Sequence, residues 1–204
     1  MAGRIELITG PMFAGKTTEL CRRLDWREKE GYNVPYIRVP SILTPTIVFE
    51  GGNIMAKSHD GEKRIVVPIC DLEGEFIDLK EIYGTSKVAV GIDEVQFFPP
   101  EAVPIIKRAA REWGWTVICA GLDYDFKRYE FSTTWELREI ADVRIDMFAR
   151  CAVCGGRADV TQRLHLDGTP ARWDEPQIVL DDGSVRYEPR CWRCHVVAPA
   201  GGGD

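Results

Sequence analysis

Apolar and polar positions alternate along residues 4–9, Arg-Ile-Glu-Leu-Ile-Thr, and the branched side chains there predict a β-strand. A glycine-rich turn follows. From Thr17 the run TTELCRRLDWREKE has helix-forming composition and stops at Gly31, a C-terminal cap. Residues 34–39, VPYIRV, predict a second strand. Proline, glycine and serine interrupt residues 40–63, which read as a loop with room for one hairpin. KVAVGID at 87–93 and TVICAGL at 116–122 are near-continuous apolar runs, the pattern of parallel strands covered on both faces. Helices are expected over 100–114, with Pro104 tolerated in the first turn, and over 133–143. Strands alternating with helices imply an open α/β sheet that binds ligands at the carboxyl ends of its strands.

Near residue 150 the pattern changes to short strand-like runs, turn residues and paired cysteines. The expected organisation is an α/β domain over 1–147 and a small module over 148–204. A chain of 204 residues with 45% apolar side chains can bury the core this requires. The formal net charge of −6 weighs against a protein that mainly grips nucleic acid, but backbone amides can hold a nucleotide in an acidic chain. No stretch is long and apolar enough to span a membrane, and MAGRIELITG lacks a leader's apolar core, so a cytoplasmic location is expected. Seven cysteines, an odd number in such a compartment, favour metal binding over disulfides.

Gly10-Pro11-Met12-Phe13-Ala14-Gly15-Lys16-Thr17 fits the G-x-x-x-x-G-K-[ST] pattern between a strand and a helix. Glycines let successive N–H groups turn inward around phosphates, Lys16 supplies charge, and the Thr17 hydroxyl is placed for magnesium. Asp93 and Glu94 end the apolar run 87–92. An aspartate there holds magnesium, and the following glutamate can accept a proton from an attacking hydroxyl. Cys151-x-x-Cys154 and Cys191-x-x-Cys194 offer four thiolates to one structural zinc, with residues 155–190 thrown out between them. Cys21, Cys70 and Cys119 read as core, and His59 and His165 as structural.

These segments together resemble the zinc-containing, tetrameric thymidine kinases. The likeness rests on GPMFAGKTTEL (10–20), SHDG (58–61), IDEVQFF (92–98), AGLDYDF (120–126), CAVCGGRADVTQR (151–163), DGTPARW (167–173) and YEPRCWRCH (187–195). The resemblance implies that Glu94 is the general base for the thymidine 5′-hydroxyl. It implies that the phosphate loop with Lys16, Thr17, Asp93 and Gln96 holds ATP and magnesium. Met12, Phe97, Leu122 and Phe126 would wall the thymine, with Thr161, Arg163 and Tyr187 supporting the loop that closes over it. That loop, Ile178, Val179, Leu180, Asp181 and Asp182, would recognise the base mostly through its backbone. Residue type alone places Met12, Phe97 and Leu122 in the core instead. The resemblance also implies a homotetramer, with dTTP as feedback inhibitor and deoxyuridine as a second acceptor.

The sequence departs from the family pattern in three places. The lid reads Ile37-Arg38-Val39-Pro40-Ser41-Ile42-Leu43, without the usual Asp-x-Arg, which leaves Arg38, Lys57 or Ser58 as phosphate contacts. The stretch Lys127-Arg128-Tyr129-Glu130-Phe131 lacks the family's proline, and Leu180-Asp181-Asp182-Gly183 lacks its paired glycines. Two other readings use the same motifs. One is an ATPase whose Glu94 activates water. The other is a zinc-ribbon nucleic-acid binder with a nucleotide switch, drawing on Arg186, Arg190, Trp192 and Arg193 but opposed by Asp174, Glu175, Asp181 and Asp182.

Overall fold

The computed structural model describes residues 3–38, 47–50, 53–57, 63–65, 67–68, 72–179 and 183–201. Its centre is a parallel sheet of β1 (Arg4–Thr9), β2 (Tyr36–Arg38), β6 (Val67–Pro68), β7 (Ala89–Asp93), β8 (Thr116–Gly121) and β9 (Val143–Asp146), in the order β6-β2-β7-β8-β1-β9. Between β2 and β6 lie β3 (Ile47–Glu50), β4 (Asn53–Lys57) and β5 (Lys63–Ile65), which form an antiparallel sheet where a loop with one hairpin was expected.

The strands divide their side chains by alternation. Ile5 and Leu7 of β1, Val90 and Ile92 of β7, and Val117 and Cys119 of β8 join one core. That core is completed by α2 (Leu72–Tyr83), α3 (Ala102–Arg111) and α4 (Ser132–Ile140). Ile8, Ala89, Ile118 and Ala120 face the other way, onto Leu20, Cys21 and Leu24 of α1 (Lys16–Lys29). Burial on both faces explains why β7 and β8 read as continuous apolar runs. Pro104 is the third residue of α3, where its missing N–H has no intrahelical acceptor to lose.

Two expectations need correction. The helix expected over 133–143 ends at Ile140, and Val143 begins the edge strand β9 beside β1. Long-range pairing decides this: the Ile5 N–H donates to the Asp142 carboxylate at 2.8 Å, and the Asp142 N–H donates to the Ile5 carbonyl at 2.9 Å. In addition, α2 has no counterpart among the expected elements, although its buried Leu72, Phe76 and Leu79 carry helical spacing.

The carboxyl-terminal part holds β10 (Ala149–Arg150) with β11 (Arg157–Ala158), and β12 (Val160–His165) with β13 (Val185–Arg190), each pair antiparallel. The first cysteine pair occupies the β10–β11 turn and the second follows β13. The two pairs come together because Ala152 N–H donates to the Pro189 carbonyl at 2.9 Å and Asp159 N–H to the Arg190 carbonyl at 3.2 Å. Among the described residues no helix is long and apolar enough to cross a membrane.

Candidate active site and cysteine cluster

Gly10 leaves β1 with φ 145°, and a Cβ there would lie 2.4 Å from the Met147 carbonyl oxygen. Only glycine lets the chain turn so close to the end of β9. Phe13 and Gly15 follow at φ 65° and 81°, carrying the backbone around the loop into α1. The N-terminus of α1 has no side-chain cap, so its first N–H groups face the loop as ready anion donors. Lys16 Nζ donates to the Pro11 carbonyl at 2.8 Å. Burial lowers its pKa, and the carboxylates of Glu94, Asp93 and Asp123 oppose that shift.

Asp93 at the end of β7 is buried, and its carboxylate is already oriented. Oδ2 accepts from the Thr17 hydroxyl at 3.0 Å and from the Tyr36 hydroxyl at 2.8 Å, while Oδ1 accepts from the Glu94 N–H at 3.1 Å. Thr17 and Asp93 therefore form an oxygen pair at the loop's base that suits a hard cation such as magnesium. Glu94 is left-handed, φ 56° and ψ 40°, a conformation that non-glycine residues adopt where the surroundings impose it. Gln96 Nε2 donates to Glu94 Oε2 at 2.7 Å, and Gln96 Oε1 accepts the Leu122 N–H at 3.0 Å. The Gln96 amide thus links Glu94 to the end of β8.

Met12, Phe97 and Leu122 are half-buried, which argues against a purely core role. Phe126 is buried beneath the Arg163 guanidinium, 3.7 Å from the ring centroid. Arg163 also donates to the Pro176 carbonyl at 2.9 Å and the Glu175 carboxylate at 3.3 Å, tying down the start of the loop. Thr161 Oγ1 accepts the Met12 N–H at 3.0 Å and joins β12 to the phosphate loop. Tyr187 pairs in register with Arg163 across β12 and β13. Ile178 is exposed and Val179 half-buried. Leu180, Asp181, Asp182, Ser58, His59 and Cys70 lie outside the described residues, as do the side chains of Arg38 and Lys57.

Two groups at the site were not anticipated from the sequence. Tyr36 orients Asp93, and its position at the start of the short strand β2 carries no distinctive signal. Asp123 accepts the Tyr124 N–H at 3.0 Å, faces the charge of Lys16, and has its pKa raised by burial. It follows the apolar run of β8 as Asp93 ends that of β7, so the same acidic-strand-end signal could have found it.

The four sulfurs of Cys151, Cys154, Cys191 and Cys194 lie within 4.8 Å of one another, and Cys154 Sγ is 3.8 Å from Cys191 Sγ. Zinc–sulfur bonds of about 2.3 Å in a tetrahedron place sulfurs about 3.8 Å apart, so the cluster fits zinc. Burial raises the Cys151 pKa, but the backbone N–H groups of Cys154, Cys191 and Val153 outweigh it and bring the thiol down to about 6. The Cys194 N–H likewise lowers Cys191, whereas a hydrogen bond to Cys191 pushes Cys194 up to about 12. Outside the cluster, Cys21 and Cys119 are buried in the core, and His165 pairs with Glu175 at 3.0 Å.

A parallel sheet that leads its first strand into a G-x-x-x-x-G-K-T loop, with an acidic strand end beside it, is the arrangement of the P-loop nucleotide-binding class. Residues 3–195 match the family model for thymidine kinase, and the chain belongs to that family. It is accordingly a kinase, and phosphorylation of thymidine is the family's general activity.

Proposed function

We propose that this kinase transfers the γ-phosphoryl group of magnesium-bound ATP to the 5′-hydroxyl of thymidine, and also accepts deoxyuridine. The observation that carries the reading is the Glu94 carboxylate, held at 2.7 Å by Gln96 just past the carboxyl end of β7, beside Asp93 and facing the charge of Lys16. In this reading the loop amides from Gly10 to Thr17 and the Lys16 ammonium grip the phosphates. Thr17 and Asp93 would hold the magnesium that accompanies ATP, which would supply charge neutralisation at the phosphates. Glu94 takes the proton from the 5′-hydroxyl, whose oxygen forms the new bond to γ-phosphorus as the bond to the ADP oxygen breaks. Most of the acceleration then comes from positioning and fixed electrostatics.

Met12, Phe97, Leu122 and Phe126 enclose the base, and Thr161, Arg163 and Tyr187 support the loop from Ile178 to Asp182 that closes over it. Gln96 acts by holding Glu94 as well as by lying near the phosphates. The reading divides the chain into a phosphotransfer core, 1–147, and a module, 148–204, in which structural zinc bound by four cysteines fixes both ends of the substrate loop. The family resemblance supports a cytoplasmic homotetramer inhibited by dTTP.

The test is to incubate the protein with ATP, magnesium and a nucleoside panel while quantifying ADP and nucleoside monophosphate together. Thymidine monophosphate should form in step with ADP. Steady ADP release without a nucleoside would instead identify a hydrolase in which Glu94 activates water.

A further inference from the structure

The turn between β8 and α4 carries Phe126 and one residue that catalysis does not use. Residues 123–131 form a tight loop closed by a bridge between Tyr124 and Glu130. Asp125 Oδ1 fixes its tip by accepting the N–H groups of Lys127 at 2.7 Å and Tyr129 at 2.8 Å. At that tip Arg128 is left-handed, φ 71°, a conformation that a non-glycine residue keeps only when other contacts hold it.

Beyond the Asp125 bonds, the side-chain contacts of Arg128 are with His195 and Trp192, in the segment of the second cysteine pair. Arg128 Nε donates to His195 Nδ1 at 3.0 Å and Nη2 donates to the His195 carbonyl at 3.0 Å. Its guanidinium lies 5.1 Å from the centre of the Trp192 ring, which Tyr124 meets edge-on at 5.8 Å. His195 follows Cys194, is buried, and lies against the backbone of both Thr161 and Phe126. One exposed arginine therefore ties the loop that carries Phe126 to His195, the residue after the last cysteine of the cluster.

We propose that Arg128 is a positioning residue that couples metal occupancy of the four-cysteine site to Phe126 of the nucleoside wall. The identity of that wall rests on the function proposed above. Zinc held by Cys191 and Cys194 would fix the Trp192 ring and the His195 acceptors, which with Asp125 hold the loop tip in its left-handed turn. A loosened cysteine pair releases Arg128, and Phe126 loses its fixed place. Linkage makes the coupling reciprocal, so a nucleoside packed on the wall slows loss of the metal.

The experiment uses the full-length, zinc-loaded chain with Arg128→Ala and Arg128→Gly. Glycine accepts the left-handed turn without strain, so the second variant removes the side chain while sparing the backbone. Both variants should raise the thymidine KM about tenfold while the ATP KM stays within about twofold. In the wild-type chain thymidine should slow zinc transfer to a colorimetric chelator, and both variants should lose that protection. Unchanged thymidine KM, or retained protection despite a raised KM, overturns the coupling. A parallel loss of affinity for both substrates also overturns it, since that is general loosening. No thymidine turnover by the wild-type chain sinks the functional reading beneath it, a result distinct from any variant effect.

Discussion

At the scale of single residues the site depends on groups held before any substrate arrives. Glu94 combines a left-handed backbone with a hydrogen bond from Gln96, so its carboxylate is aimed by two independent constraints. Glu94→Gln preserves shape but removes the proton acceptor. It should leave nucleotide binding near normal and lower kcat by about 10²- to 10⁴-fold, the usual contribution of a general base. Isothermal titration with the nucleotide alongside steady-state turnover separates the two effects, and near-normal turnover would mean another group takes the proton. Gly10 tests the loop itself. A methyl group there meets the Met147 carbonyl at 2.4 Å. Gly10→Ala should therefore displace the loop and weaken nucleotide binding by about tenfold, roughly 1.4 kcal/mol, with little change in circular dichroism.

At the scale of elements, α1 is fixed to the sheet by a buried charge cluster as well as by Leu20 and Leu24. Glu6 points from β1 toward α1 with 1% exposure, and Arg4, Arg23 and Arg27 all pair with it. Arg23 and Arg27 keep Glu19 and Glu30 and all three guanidinium groups reach solvent, so losing Glu6 costs about 1.5–3 kcal/mol, less than a fully buried pair would. Glu6→Ala should lower the melting temperature markedly, because three guanidinium groups lose their shared acceptor. It should also weaken nucleotide binding, since α1 carries Lys16 and Thr17 at its start. A melting curve matching the wild-type chain would show that the cluster is only a surface network. The end of α4 makes a related point. Composition continues the helical run past Ile140, but the two hydrogen bonds between Ile5 and Asp142 take the chain onto the sheet. Local propensity loses to long-range pairing there.

For the whole molecule, the cysteine cluster and the phosphate loop lie in parts of the chain that meet through Met12 and Thr161, Phe126 and Arg163, and Arg128 and His195. Stripping zinc with a strong chelator should disorder the carboxyl-terminal strands while the parallel sheet persists. Hydrogen exchange should accelerate in β12 and β13, and thymidine affinity should fall more than nucleotide affinity. Equal loss of both would mean that the metal supports the entire fold. Reloading with zinc should restore thymidine affinity, as expected when metal binding and local folding are linked.

Chemistry written into neighbouring residues was legible in the sequence. The phosphate loop, the Asp93–Glu94 pair and both cysteine pairs depend on spacings of a few residues, and backbone geometry converts such spacings directly into shape. The strands of the central sheet were legible for a similar reason, since burial on both faces leaves a continuous apolar signature. Tertiary structure alone decided what distant segments do to one another. Tyr36 reaches Asp93 across 57 positions, and Arg128 reaches His195 across 67. The half-exposure of Met12, Phe97 and Leu122, which residue type alone would have placed in the core, is likewise fixed by which strands and loops converge. Residue type records only whether a side chain prefers to leave water; the folded chain determines what it meets when it does.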